Sequence, residues 1–91
     1  MNYHSAFSLI QDEDHFYLRF AKDVSFLQKV SIKKVLARIP DESTVFIDGG
    51  GAMFIDYDIL EIIEDFKRSA IGRRINVNTR NLSANKLALF A

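Results

Sequence analysis

The chain has 91 residues, of which 48% are hydrophobic and 26% charged, and its twelve basic residues balance twelve acidic ones. A chain of this length fits one small domain, and this composition excludes wholesale disorder, which requires few apolar residues and a large net charge. The lack of cysteine excludes disulfides and thiol chemistry, zero net charge gives no basic footprint for nucleic acid, and no apolar run reaches the ~20 residues of a membrane-spanning helix.

The N-terminal region predicts an antiparallel hairpin. Residues 6–10 form the first predicted strand, and the polar residues 11–14 form its turn. Residues 15–20 then alternate between apolar and polar side chains, which is typical of a strand with one buried face. The side chains predicted to face the core are Phe16, Leu18 and Phe20.

Helices and strands alternate in the rest of the chain. Ser25 and Gln28 have the spacing of a capping box, so a helix is predicted from Ser25 until Pro40 ends it. The continuous apolar run 45–47 predicts a strand covered on both faces.

The second helix is predicted to begin near Asp58, with Glu61 at its third position and Gly72 just beyond its end. Residues 75–79 alternate between polar and apolar and predict a fourth strand. Residues 83–91 predict the start of a third helix, which would be short for an independent element.

This order of elements predicts a small α/β fold with a mixed four-stranded sheet and flanking helices, in the order β-β-α-β-α-β-partial α. We expect residues 1–91 to form one domain that stops within its third helix. Such sheets place their functional loops at the carboxyl ends of the strands, which here means residues 48–58.

Charged residues are unevenly distributed along the second half of the chain. Residues 41–65 contain eight acids and no base, and residues 67–86 contain six bases and no acid. Solvated helix faces and complementarity with the helix dipoles explain this distribution. The alternative is a bipolar surface that docks a partner of mixed charge.

The loop after the third strand lacks the residue spacing of known phosphate and calcium sites. Its three glycines, residues 49–51, lack the Gly-Lys-Ser/Thr ending of a phosphate-binding P-loop. Asp48, Asp56 and Asp58 are explained better as caps and turn residues than as metal ligands, because the spacing of a calcium loop is absent. No nucleophile, base and metal cluster come together, so we expect no enzymatic activity, no metal and no cofactor.

Residues 48–66, DGGGAMFIDYDILEIIEDF, resemble the STAS domain, in which Phe-Ile-Asp followed by an apolar helix is the most telling feature. The segments VSFLQK (24–29), IP (39–40), IDG (47–49) and FIDYD (54–58) look most like the cytoplasmic STAS domain of bacterial SulP-type anion transporters. The resemblance covers about residues 14–80 and implies the same small mixed sheet with flanking helices.

One position departs from the anti-sigma-factor antagonists of the same superfamily. In those proteins a serine follows the aspartate of this loop, a kinase phosphorylates it, and the added charge breaks a complex. The matching residue here is Tyr57, followed by Asp58, and the nearest hydroxyls belong to Ser43 and Thr44. The departure favours the transporter-type domain and argues against a phosphorylation site in this loop.

The resemblance implies a non-enzymatic regulatory domain on the cytoplasmic face of the inner membrane, whose partner is the membrane domain of a sulfate or bicarbonate transporter. The glycines would let the backbone approach a partner, Phe54 and Ile55 would hold the loop on the core, and Tyr57 would be the exposed contact. The complete predicted loop consists of Asp48, Gly49, Gly50, Gly51, Phe54, Asp56, Tyr57 and Asp58.

Two alternatives stay open. A free-standing regulator like the antagonists would bind another regulatory protein, and a nucleotide- or anion-binding module would bind its ligand at residues 49–58. Nucleic acid is not an expected partner. An incomplete third helix would leave apolar sheet surface uncovered, which favours self-association as a homo-oligomer.

Overall fold

Strands and helices follow one another in the predicted order. The computed structural model describes residues 6–83, apart from the side chain of Phe26. Beyond Ser83 the predicted third helix lies outside the described residues. The elements are β1 (Phe7–Asp12), β2 (His15–Phe20), a 3₁₀ turn (Phe26–Gln28), α1 (Lys29–Arg38), β3 (Thr44–Asp48), α2 (Tyr57–Gly72) and β4 (Asn76–Arg80).

The sheet has the strand order β1-β2-β3-β4, with β1 antiparallel to β2 and the remaining neighbours parallel. The predicted small α/β fold with a mixed four-stranded sheet is therefore confirmed. Both parallel connections, β2–α1–β3 and β3–α2–β4, step in the same direction across the sheet. A right-handed crossover then places both helices on the same face.

The hairpin turn is shorter than predicted. Gln11 pairs with Phe16 and Asp12 pairs with His15, so only Glu13 and Asp14 form the turn. Glu13 has a φ of 54°, the left-handed conformation that a two-residue hairpin turn requires. The predicted turn over residues 11–14 was therefore wrong because polar residues at an exposed edge strand look like turn residues.

The core lies between the helices and one face of the sheet. Phe16, Leu18 and Phe20 point into it, as the alternation in β2 predicts. The prediction that residues 45–47 are covered on both faces is wrong, because Phe46 is 46% exposed while Val45 and Ile47 are buried. The reason is that both helices occupy the same face, which leaves the opposite face of β3 open.

The first helix begins with the predicted side-chain bond but not as an α-helix. Oε1 of Gln28 accepts from the Ser25 N–H at 2.9 Å, and Oγ of Ser25 accepts from the Leu27 N–H at 3.2 Å. In a capping box the serine oxygen accepts from the N–H three residues later, whereas here it accepts from the N–H two residues later. The chain makes a 3₁₀ turn before α1 starts at Lys29.

Both ends of α2 differ from the prediction. The helix begins at Tyr57 with Asp56 as its N-cap, so Glu61 lies beyond the capping position. Gly72 was predicted to lie just beyond the helix but is its last residue, and the left-handed residue that follows the helix is Arg74, with a φ of 55°. The N–H of Ile75 donates to the Ala70 carbonyl at 2.9 Å, which is the long bond of a Schellman motif.

The acidic and basic runs pair with each other inside the domain. Arg73 contacts Asp41 at 2.8 Å, Arg74 contacts Glu42 at 2.6 Å, and the remaining ion pairs are Arg80–Asp48, Lys67–Glu64 and Arg68–Asp65. Every base of the basic run within residues 6–83 therefore has an acidic neighbour from the acidic run. No helix in this part of the chain is long and apolar enough to cross a membrane.

Candidate functional site

The predicted loop connects β3 to α2 at the carboxyl edge of the parallel strands. It divides into two parts. Asp48 and Gly49 are buried and Gly51 is half-buried, while Gly50, Met53, Phe54 and Tyr57 are exposed.

Two of the glycines are required by close packing within the domain. A Cβ atom on Gly49 would lie 2.5 Å from the Asn81 carbonyl oxygen, and one on Gly51 would overlap the carbonyl oxygen of Phe20. Neither residue has a positive φ. Packing against the chain's own backbone therefore accounts for glycine at positions 49 and 51, and the approach of a partner to this backbone stays a prediction.

Asp48 is a buried carboxylate at the end of β3. Its Oδ1 accepts from the Gly50 N–H at 2.8 Å, its Oδ2 accepts from the Tyr17 hydroxyl at 3.0 Å, and Arg80 lies 3.6 Å away. The hydrogen bond from Gly50 is the largest influence on the pKa of Asp48 and lowers it. Burial raises this pKa, and Tyr17, Asn81 and Arg80 lower it further, so that the net shift is downward. Asp48 therefore fixes the start of the loop.

A carboxylate that sequence reasoning missed holds the middle of the loop. Oδ1 of Asp23 accepts from the Met53 N–H at 2.9 Å and from the Phe54 N–H at 3.0 Å. Asp23 lies about thirty positions away in sequence, and neither its identity nor its spacing marks this role. The only local signal is its position in the connection after β2.

Backbone hydrogen bonds fix the loop beside the segment that follows β2. The Val24 N–H donates to the Phe54 carbonyl at 2.9 Å, and the Asp56 N–H donates to the Val24 carbonyl at 2.9 Å. Val24 and Ile55 thus form a short parallel bridge, and both side chains are fully buried. We conclude that the loop is a defined surface and not a free connection.

This bridge determines which side chains of the loop are exposed. Successive residues of an extended segment point to opposite sides, so burial of Ile55 turns Phe54 outward. Phe54 is 39% exposed, and the prediction that it holds the loop on the core is wrong. Ile55, which is fully buried in the core, has that role together with the buried Ala52.

Four large apolar side chains form what we call the end patch: Leu27, Met53, Phe54 and Tyr57. Leu27 is 74% exposed and Tyr57 is 77% exposed, as predicted for Tyr57. Leu27 belongs to the 3₁₀ turn that packs near α2, and the Val24 bridge joins its segment to residues 53–56. Exposed apolar groups gathered on one end of a small domain are typical of an interaction surface.

The start of α2 is already occupied by carboxylates of the chain. Oδ1 of Asp56 accepts from the Asp58 N–H at 3.1 Å, and Asp58 lies 3.6 Å from Nζ of Lys29. A bound anion would have to displace Asp56 and would meet two negative charges. This arrangement opposes the predicted alternative of a nucleotide or anion at residues 49–58.

Ser43 and His15 lie away from the loop. Ser43 is buried before β3, and its Oγ donates to the Pro40 carbonyl at 2.7 Å. His15 contacts the neighbouring Asp14 at the opposite end of the sheet. Within residues 6–83, no three His, Cys, Asp or Glu side chains are placed to hold a metal ion.

Solved structures share this fold. A crystal structure of a protein named Mglu has a TM-score of 0.71 to this chain at 14% identity, covering 86% of this chain and 20% of Mglu. A structure of Mglu in its native form has a TM-score of 0.69 at 15% identity, covering 91% and 26%. The chain thus spans about a fifth to a quarter of these relatives, and the likeness concerns the fold alone. No profile of a protein family and no curated protein matches the chain.

The close approach at Gly51 predicts a cost for the smallest possible substitution. Gly51→Ala should lower the free energy of unfolding by roughly 1–3 kcal/mol, because the new methyl group overlaps the Phe20 carbonyl. Gly72→Ala is the matched control: nothing lies within 4 Å of its Cβ position, so this variant should be as stable as the parent or up to about 1 kcal/mol more stable. Urea unfolding measures both, and equal stability of the two variants would contradict the packing.

The hydrogen bonds to Asp48 predict a pH dependence of stability. At neutral pH, Asp48→Asn should cost about 1–3 kcal/mol, because the N–H and O–H donors lose a charged acceptor. Since the folded pKa lies below the unfolded value, this contribution is complete above pH ~4 and disappears as the pH falls through the folded pKa.

The measurement is urea unfolding at a series of pH values, with the exposed Asp12→Asn as the control that should change stability by less than about 0.5 kcal/mol. A stability difference between the parent and Asp48→Asn that stays constant into strong acid would contradict this account.

Proposed function

We propose that the chain is a STAS-type protein-interaction domain of a SulP-type inorganic anion transporter, for anions such as sulfate or bicarbonate. It has no enzymatic activity of its own and needs no cofactor. Its place is the cytoplasmic face of the membrane, and its partner is the membrane domain of the same transporter. The resemblance of residues 14–80 to such domains supports this proposal.

One observation carries the interaction role. The loop between β3 and α2 is held by the Val24 bridge and the Asp23 carboxylate, and yet it exposes Met53, Phe54 and Tyr57. Exposed apolar side chains that lie next to one another, unlike single ones, are typical of interaction sites. A fixed backbone also avoids the entropic cost of ordering a loop when a partner binds.

Tyr57 is the residue best suited to the centre of this contact. It occupies the position where the antagonists carry their phosphorylated serine, and it combines a rigid apolar ring with a hydroxyl. Tyrosine is also among the residues on which binding energy concentrates at interfaces. A free-standing regulator would use the same surface, so the identity of the partner decides between these two functions.

The proposal predicts a specific crosslink from position 57. A photoreactive benzoyl-phenylalanine at Tyr57, in the full protein as the cell makes it, should capture a partner on irradiation of intact cells. A matched probe at Ile71, which is 81% exposed at the other end of α2, should capture little.

Mass spectrometry of the adduct separates the outcomes. A link to a membrane segment of the same polypeptide supports the transporter domain, and a link to a separate protein supports the free-standing regulator instead. No adduct from position 57, or equal capture from positions 57 and 71, would overturn the interaction role of this loop.

A further inference from the structure

Acidic side chains surround the end patch on the side of α2. The first nine residues of α2 contain Asp58, Glu61, Glu64 and Asp65 and no base, and the N-cap Asp56 precedes them. Lys29 contacts Asp58, and Lys67 contacts Glu64, so part of this charge is compensated within the domain. Glu61 is exposed and makes no ion pair within residues 6–83.

A depression on the surface combines this charge with apolar groups. It is open to solvent, has a volume of about 540 Å³ and is lined by Tyr57, Asp58, Leu60, Glu61, Glu64 and Arg68. The positive charge of Arg68 is compensated by its ion pair with Asp65. The depression therefore offers two apolar side chains and three carboxylates, directly beside the end patch.

The charge of this surface selects between the possible occupants. An anionic membrane surface attracts clusters of Lys and Arg and repels carboxylates, so lipid headgroups do not fit it. A segment with apolar and basic side chains fits both features. The short cytoplasmic loops of membrane proteins have this composition, because they carry an excess of Lys and Arg.

We propose that the end patch and the depression beside it bind a peptide segment that carries Lys or Arg next to apolar side chains. The proposal rests on the interaction function proposed above and specifies the chemistry of the partner: a basic cytoplasmic segment. The apolar contacts with Tyr57 and Leu60 supply burial, while Glu61, which has no ion pair within residues 6–83, pairs with a basic group. Such pairs govern recognition and the rate of association, and they weaken with salt.

Two synthetic amphipathic helical peptides with the same apolar face test this proposal. One carries Lys at its polar positions and the other carries Glu. The Lys peptide should shift the amide NMR signals of residues 53–64 in the labelled chain, and the shifts should weaken as salt is added. The Glu peptide should leave these signals unchanged.

A charge reversal locates the interaction. Glu61→Lys should weaken binding of the Lys peptide about fivefold or more, because an exposed ion pair is lost and like-charge repulsion takes its place. Asp12→Lys makes the same charge change in β1, at the hairpin end of the sheet, and is the matched control. Equal weakening by both variants, shifts centred away from residues 53–64, or equal binding of the Glu peptide would overturn the proposal.

The crosslink from position 57 separates this inference from the function on which it rests. An adduct to a segment rich in Lys or Arg supports both. If the captured segment lacks basic residues, the interaction function stands and the inference about its partner fails. Sedimentation of the chain with vesicles of phosphatidylcholine and phosphatidylglycerol would also overturn the inference, since the surface would then bind anionic lipid.

Discussion

Two backbone hydrogen bonds and one carboxylate, which join residues 23–24 to residues 53–56, hold the candidate site in place. The Val24 bridge buries Ile55 and thereby turns Phe54 to the solvent. Asp23 satisfies two N–H groups that would otherwise be unpaired in the loop. This connection between the β2–α1 and β3–α2 crossovers fixes the position of the end patch. It also fixes the start of α2 and the acidic surface beyond it.

The same connection explains why the loop is better suited to binding a partner than to catalysis. Its polar groups are used within the domain: Asp48 receives bonds from Gly50 and Tyr17, and Asp56 caps α2. What remains for a partner is apolar surface at the end patch and negative charge along α2. This combination supports a protein partner with basic groups and opposes a nucleotide at the start of the helix.

The order of elements, the core face of β2 and the exposure of Tyr57 follow from local sequence, because a period of two or of 3.6 is a local property. The open face of β3 could also have been predicted from the order of the elements, since two right-handed crossovers in one direction place both helices on one side of the sheet. The roles of Asp23 and Phe54 could not be predicted from the sequence, because they depend on a bridge between segments about thirty residues apart. The left-handed residue beyond the end of α2, Arg74, was missed because glycine is the usual residue at such a position, and here arginine adopts that conformation.

Hydrogen exchange at the bridge tests the central claim most directly, which is that the loop is a fixed surface. The amides of Val24 and Asp56 each donate to a backbone carbonyl across the bridge. We predict that both amides are protected as strongly as the amide of Ile47 in β3, because they open only when the domain unfolds. Exchange at the rate of an unstructured chain, with Ile47 still protected, would show that the loop opens independently and would contradict the account.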